Sequence, residues 1–340
     1  MKTVISLSIL VLWLGLAFGQ QEDEEFDFPD YRQMREHFGQ LYSEGKYQEA
    51  ARLLEWALPQ FPDNVLANSY NLALSYLQLQ RYEKSVEALQ YALDRDVWFN
   101  RFIFESEIWQ PLTQLDGFEA VLARNEELRA EAQKTSKMEL EVITPEGYEK
   151  ERKYPLFIAL HGGGGNIDAF RNVWISEKMG KEFITAYIQS SQIVAMDGFS
   201  WTEDIEIAKK DISSAYDAVT KEYAVDSEEV IIGGFSSGGV AALEVALCNT
   251  LPVSGFVALC PAKPESFTEA NLTAAKERGL RGTLLTTEMD PRLADQKEMV
   301  AAMEKVGFEH RFVVTPDVGH WIPDDLNVMI DHSIGHIRNK

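Results

Sequence analysis

Two serines stand side by side in VIIGGFSSGGVAAL, residues 230–243, between pairs of glycines and straight after an apolar run. A phosphate cradle needs G-x-x-x-x-G-K-[ST], and Gly239 stands where its lysine must be. A dinucleotide turn, G-x-G-x-x-G, fails because Phe235 and Ser236 occupy the places where its second glycine would fall. A nucleophile turn, G-x-S-x-G, fits as Gly234-Phe235-Ser236-Ser237-Gly238. In such an elbow the serine sits in a strained conformation, and the residues two before and two after it crowd together. Ser236 has glycines at both places, whereas Ser237 would have Phe235 at one of them. Ser236 is therefore the candidate nucleophile, and Ser237 offers its backbone N–H to a developing oxyanion.

A serine hydroxyl becomes a useful nucleophile when an imidazole takes its proton and a carboxylate fixes that imidazole. After an elbow of this kind the acid comes next along the chain and the histidine last. Asp290, in TTEMDP, and His320, in PDVGHW, follow in that order. Glu288, Asp295 and Asp317 are rivals for the acid; Asp295 falls in a helix start and Asp317 is too close to His320 along the chain. Of the six histidines, only His320 is expected at a strand end after the acid, and His161 is read as shaping its loop. The glycines of HGGGGN, residues 161–166, let backbone N–H groups approach an oxyanion, with Gly162 and Gly163 the expected donors. Trp321 is the better candidate for a pocket wall. For Trp201 a pocket role and ordinary packing are both open.

These residues need a frame that brings them together. From residue 137 onward, apolar stretches such as YPLFIAL, FITAYIQ, EVIIGGF, VSGFVALC, GTLLTT and HRFVV alternate with helical ones such as IEIAKKDISSAYDAVTKEY. That alternation predicts a parallel sheet covered by helices on both faces, with ligands bound outside the carboxyl ends of its strands. The glycine-rich and polar features all fall at such ends. Cys248 is expected to end a helix at one end of the sheet and Cys260 a strand at the other, too far apart for a disulfide. Both are read as buried and structural.

Residues 31–135 have a different texture. SEGKYQEAARLLEWALPQFPDN aligns with LQLQRYEKSVEALQYALDRDV, so Tyr47 matches Tyr82, Leu54 matches Leu89 and Ala57 matches Ala92, each 35 apart. Gly45, Ala50, Ala57 and Pro62 make the first unit resemble a tetratricopeptide repeat; Gln80 replaces the glycine in the second. IWQPLTQLDGFEAVLARNEELRAEA is expected to add a third helix pair and a cap. Packing or spacing is the favoured role, with a protein partner as the alternative.

Ahead of this lies MKTVISLSILVLWLGLAFGQ, with Lys2, an apolar core from Ile5 to Leu16, and small residues at Ala17 and Gly19. It reads as a cleaved secretory signal, residues 1–19, and implies export to the periplasm or the medium. Residues 20–30 read as a solvated acidic leader. The 340 residues are 45% apolar and 25% charged, enough for a real core, and the net charge of -22 argues against nucleic acid or anionic lipid as partners. No span is expected in the mature chain.

YPLFIALHGGGGN, DGFSW, AVDSEEVIIGGFSSGG and PDVGHWIP together resemble the α/β-hydrolase superfamily, and within it the phospholipase/carboxylesterase and putative-esterase branch, akin to dienelactone hydrolases. The resemblance covers residues 138–340. It implies an α/β-hydrolase sheet behind an all-α tetratricopeptide-like domain, and hydrolysis of a small ester through an acyl-enzyme with no metal or organic cofactor. The stretch 261–283 shows no lid insertion, which weakens a triglyceride lipase reading. A serine peptidase or acyltransferase would share the chemistry, and a non-catalytic scaffold is the reading from another class.

Overall fold

A computed structural model describes residues 26–339. The signal-like segment and most of the acidic leader lie outside the described residues. Four helices come first: α1 (Tyr31–Ser43), α2 (Tyr47–Gln60), α3 (Val65–Gln78) and α4 (Tyr82–Leu93). The 35-residue offset is visible in space. Tyr47 and Tyr82 open α2 and α4, while Leu54, Leu89, Ala57 and Ala92 are all fully buried in one cluster. Alanine at the contact lets helix axes approach, and the leucines fill the space left between them.

The third helix pair is not formed. Two 3-10 turns, Arg101–Glu105 and Glu107–Leu112, lead into a single long helix, α5 (Asp116–Gln133). Pro111 has no N–H to continue a helix, and Trp109, 1% exposed, fills the volume in place of a further helix face. The end of the acidic leader is also not free in solvent. The Phe26 and Phe28 rings lie 5.9 and 5.8 Å from that of Trp56, leaving Asp27 exposed between them.

The second half is built on nine strands: β1 (Glu139–Ile143), β2 (Tyr154–Leu160), β3 (Ile184–Gln189), β4 (Gln192–Ala195), β5 (Gly198–Ser200), β6 (Val225–Phe235), β7 (Gly255–Leu259), β8 (Arg281–Thr287) and β9 (His310–Thr315). Seven form the main sheet in the order β1-β3-β2-β6-β7-β8-β9, with β1 antiparallel and the rest parallel. Helices α6 (Ile167–Phe170), α7 (Glu177–Glu182), α8 (Ile205–Glu222), α9 (Ser237–Leu247), α10 (Glu269–Glu277), α11 (Leu293–Val306) and α12 (Leu326–Arg338) complete it. Strand alternation feeds two cores. Leu156, Ile158 and Leu160 pack under α8, α9, α10 and α11, and Phe157 and Ala159 pack under α6, α7 and α12. The architecture is an α/β-hydrolase sheet with helices on both faces, preceded by an all-α region.

β4 and β5 pair antiparallel as a separate small hairpin outside the main sheet, which the sequence reading did not anticipate. The cysteines are free. Cys260 is buried as expected, but Cys248 caps the exposed end of α9 and stands in solvent, so it is not a core residue. Among the described residues, no helix is long and apolar enough to cross a membrane.

Candidate active site

Ser236 is the single residue between β6 and α9, at φ 52° and ψ -115°. For a residue with a side chain this conformation costs about 1–3 kcal/mol and persists only where the surroundings enforce it. They do so here. A Cβ on Gly234 would come within 2.6 Å of the Gly238 carbonyl oxygen and 2.8 Å of that of Leu160. One on Gly238 would meet the carbonyl oxygens of His161 and Leu160 well inside contact distance. The Ser236 N–H is held by the Leu259 carbonyl at 2.8 Å, and its own carbonyl accepts the first helical bond, from Val240 N.

Asp290 and His320 lie on the loops after β8 and β9, and these loops are stitched together. Glu288 N donates to Thr315 O at 2.8 Å, Met289 N to Val318 O at 3.0 Å, and the Thr287 hydroxyl to Gly319 O at 2.6 Å. As a result His320 Nδ1 lies 2.8 Å from Asp290 Oδ2, and His320 Nε2 lies 2.9 Å from Ser236 Oγ. With Nδ1–H donating to the carboxylate, Nε2 is free to accept the serine proton. Of the rivals, Glu288 accepts the Asp317 N–H at 3.1 Å and so closes the turn ahead of His320, and Asp295 sits in the first turn of α11.

Asp290 is 4% exposed, and burial opposes its charge. The hydrogen bonds from His320, the Arg292 N–H and the Cys260 thiol outweigh that cost and hold its pKa below the ordinary carboxylate value. Cys260, at φ 50°, lies beside it; burial first, and Asp290 second, push the thiol up to about 12. It stays protonated and is no second nucleophile. Ligand atoms of Cys260, Asp290 and His320 fall within 4.8 Å of one another, a spacing accounted for by the hydrogen bonds already joining them. Sequence reasoning missed three neighbours of the imidazole: Cys260 behind the acid, the Phe235 ring stacked at 5.1 Å, and the Arg292 guanidinium, 3.2 Å from Nε2.

The glycine loop closes over the same point. A Cβ on Gly162 would press on the Phe235 ring at 2.7 Å, and one on Gly163 would touch Ser237 Oγ at 3.4 Å. Gly162, Gly163 and Ser237 are thus gathered beside Ser236. His161 shapes this loop from within the core. Its Nδ1–H donates to Gly162 O at 2.7 Å, and its Nε2 accepts the Ser190 N–H at 3.3 Å. Complete burial lowers its pKa to about 4, so it is neutral at pH 7.

A cleft of about 710 Å³ opens next to these groups, walled by the glycine loop, Phe170, Val173, Ile175, Phe235 and Trp321. Trp321, 69% exposed, is at its rim. Trp201 is not part of it: the side chain is fully buried, and its indole N–H holds the His161 carbonyl at 3.0 Å. An apolar ring with one N–H is suited equally to a pocket wall and to a core that contains one unpaired carbonyl.

The model of the phospholipase/carboxylesterase family matches residues 149–334, more than half of the chain. The chain belongs to that family. It is a serine hydrolase of the carboxylesterase type, with a helical region ahead of the family's sheet. Among solved structures, an uncharacterized protein from Bacillus cereus ATCC 10987 matches 91% of this chain and 99% of its own, at 23% identity and a TM-score of 0.52. Its likeness extends across both halves of the fold. The Bacillus cereus carboxylesterase matches 62% of this chain and 99% of its own at 17% identity, TM-score 0.45. A phospholipase/carboxylesterase from Dyadobacter fermentans DSM 18053 matches 59% and 97% at 17% identity, TM-score 0.43. No curated protein matches the chain.

Proposed function

We propose that the protein is an exported carboxylic-ester hydrolase that works through an acyl-enzyme. Ser236 attacks the ester carbonyl as His320 takes its proton, and Asp290 fixes the imidazole and stabilises its charge. The N–H groups of Ser237, Gly162 and Gly163 hold the oxyanion. His320 then returns the proton to the departing alcohol, and water repeats the sequence to release the acid. The observation that carries the reading is His320 set between Ser236 Oγ and Asp290 Oδ2 at 2.9 and 2.8 Å. The apolar cleft supports an ester with a hydrophobic acyl or alcohol group. The helical half is proposed as a tetratricopeptide-like packing unit, on the strength of its 35-residue equivalences.

The test is hydrolysis of short p-nitrophenyl esters. Ser236→Ala is expected to lower kcat about 10⁴-fold or more, and a fluorophosphonate should label Ser236. Equal turnover by both proteins, or labelling at Ser237, would sink the assignment. N-terminal sequencing of the secreted or periplasmic protein tests the signal; an intact Met1 in the mature chain removes it.

A further inference from the structure

The small hairpin of β4 and β5 belongs to the hydrolase half by sequence and to the helical half by packing. Ile193 is buried in the core of the helical half, and Phe199 packs on that same core. Ile193 and Phe199 face each other across the hairpin. Their backbone groups point in opposite directions, as in a non-hydrogen-bonded antiparallel pair. Ile193 N–H donates to Gln133 Oε1 at 3.0 Å, and its carbonyl accepts from Arg129 Nη1 at 3.3 Å. Gln133 Nε2 also donates to Ser191 O at 2.8 Å. Side chains at the end of α5 thus take the place of a third strand along the outer edge of β4.

On the other edge, Phe199 N–H donates to Gly165 O at 2.9 Å and Phe199 O accepts from Gly164 N at 2.8 Å. Gly165 N in turn donates to Gly162 O at 3.0 Å. A chain of contacts therefore leads from the side chains at the end of α5, across the paired short strands, to the glycine loop. The hydrolase half holds the hairpin at its entry and exit, through Asp211 to Ser191 and Gln192 to Asp204 N. A two-stranded hairpin is marginal in water by itself, and an unpaired edge makes it more so. Asn100, also from the helical half, approaches so closely that a Cβ on Gly164 would lie 2.9 Å from its Nδ2.

We infer that the helical half is a working part of the active site: Gln133, with Arg129, is a positioning residue that holds the oxyanion loop in place through the hairpin. This rests on Gly162 and Gly163 being oxyanion donors, as proposed above. Misplacing preorganised donors by a fraction of an ångström weakens transition-state binding more than substrate binding.

The experiment uses the full mature chain and five proteins: wild type, Gln133→Ala, Gln133→Glu, Arg101→Ala and Ser236→Ala. Arg101 joins the same two halves through an ion pair with Glu203 at 2.6 Å, beyond the end of β5 and with no hydrogen bond to β4, and controls for docking of the halves. Gln133→Ala is expected to lower kcat on p-nitrophenyl butyrate roughly tenfold with KM changed less than about twofold. Gln133→Glu keeps the acceptor for Ile193 N–H and should fall between Ala and wild type. Arg101→Ala should match wild type. Amide exchange should quicken at Gly164 and Phe199 in Gln133→Ala but not at Ile158 or Ile232 in the sheet. If Gln133→Ala does not fold, Gln133→Glu carries the same readouts. Wild-type kcat and unchanged exchange at Gly164 in either Gln133 variant overturn the inference, as does an equal loss in Arg101→Ala. Wild type no more active than Ser236→Ala instead removes the hydrolase reading on which the inference stands.

Discussion

Glycine does different work in the two halves. In the helical half, Gly45 at φ 74° turns the chain between α1 and α2, and nothing lies within 4 Å of where its Cβ would be. Thirty-five residues on, Gln80 makes the corresponding turn at φ 55°. That turn asks only for a left-handed conformation, which other residues adopt at a modest cost. At the elbow, Gly234 and Gly238 have ordinary negative φ, and the demand is for space, since carbonyl oxygens stand where a Cβ would go. A repeat can drift at its turns; a strand-to-helix turn over a sheet cannot.

The sharpest way to break this contrast is Gly238→Ala. A methyl against the Leu160 and His161 carbonyls has no room, and we expect no soluble, active protein, read by expression and esterase assay. If Gly238→Ala folds with wild-type turnover, the spatial account fails.

Next come matched core deletions. Leu54→Ala and Leu89→Ala empty equivalent, fully buried sites and should each cost about 2–5 kcal/mol in urea unfolding. Similar losses would make the two helix pairs energetic as well as geometric repeats.

His161 gives an effect confined to the hydrolase half. Its folded pKa, about 4, lies below the ordinary value of 6.5. Between those values the unfolded chain binds a proton that the folded one refuses, so stability falls as pH drops from 6.5 toward 4. The full fall amounts to about 3 kcal/mol. Asp290 acts with the same sign at lower pH, because its lowered pKa gives stability that is lost when the carboxylate is protonated. Urea midpoints at pH 7, 5.5 and 4.5 should fall in wild type and flatten in His161→Asn. The smallest effect expected is at the helical turns: Gly45→Ala should cost about 1 kcal/mol and Gln80→Gly should gain about as much. Opposite shifts in Tm of a few degrees would separate conformation from space.

The same contrast governs what could be read from the sequence. Ser236 and Ser237 were legible because they follow β6 directly and the crowding rule acts over only two residues either side, and Asp290 and His320 because they lie in order on the loops after β8 and β9. The 35-residue offset was legible because Leu54 and Leu89, or Ala57 and Ala92, are equivalent in type as well as in place. The hairpin was not: strands of four and three residues, Gln192–Ala195 and Gly198–Ser200, are too short to show a period of two. Trp201 was ambiguous because burial depends on what lies across from it, here a lone carbonyl of His161. Phe26 and Phe28 were hidden among acids, and only the fold reveals Trp56 beside them.

The pairing of Ile193 with Phe199 has a consequence for how this chain can change length. Backbone direction alternates along a strand, so one residue added or lost between Ser191 and Ile193 would turn the Ile193 amide away from Gln133, and one between Ile193 and Phe199 would change which residue faces Ile193 across the hairpin. Surface loops normally absorb insertions freely. This stretch of nine residues, exposed at Asp197 and far from any catalytic side chain in sequence, should instead be among the least forgiving of indels in the molecule, whereas the turn at Gly45 should accept them.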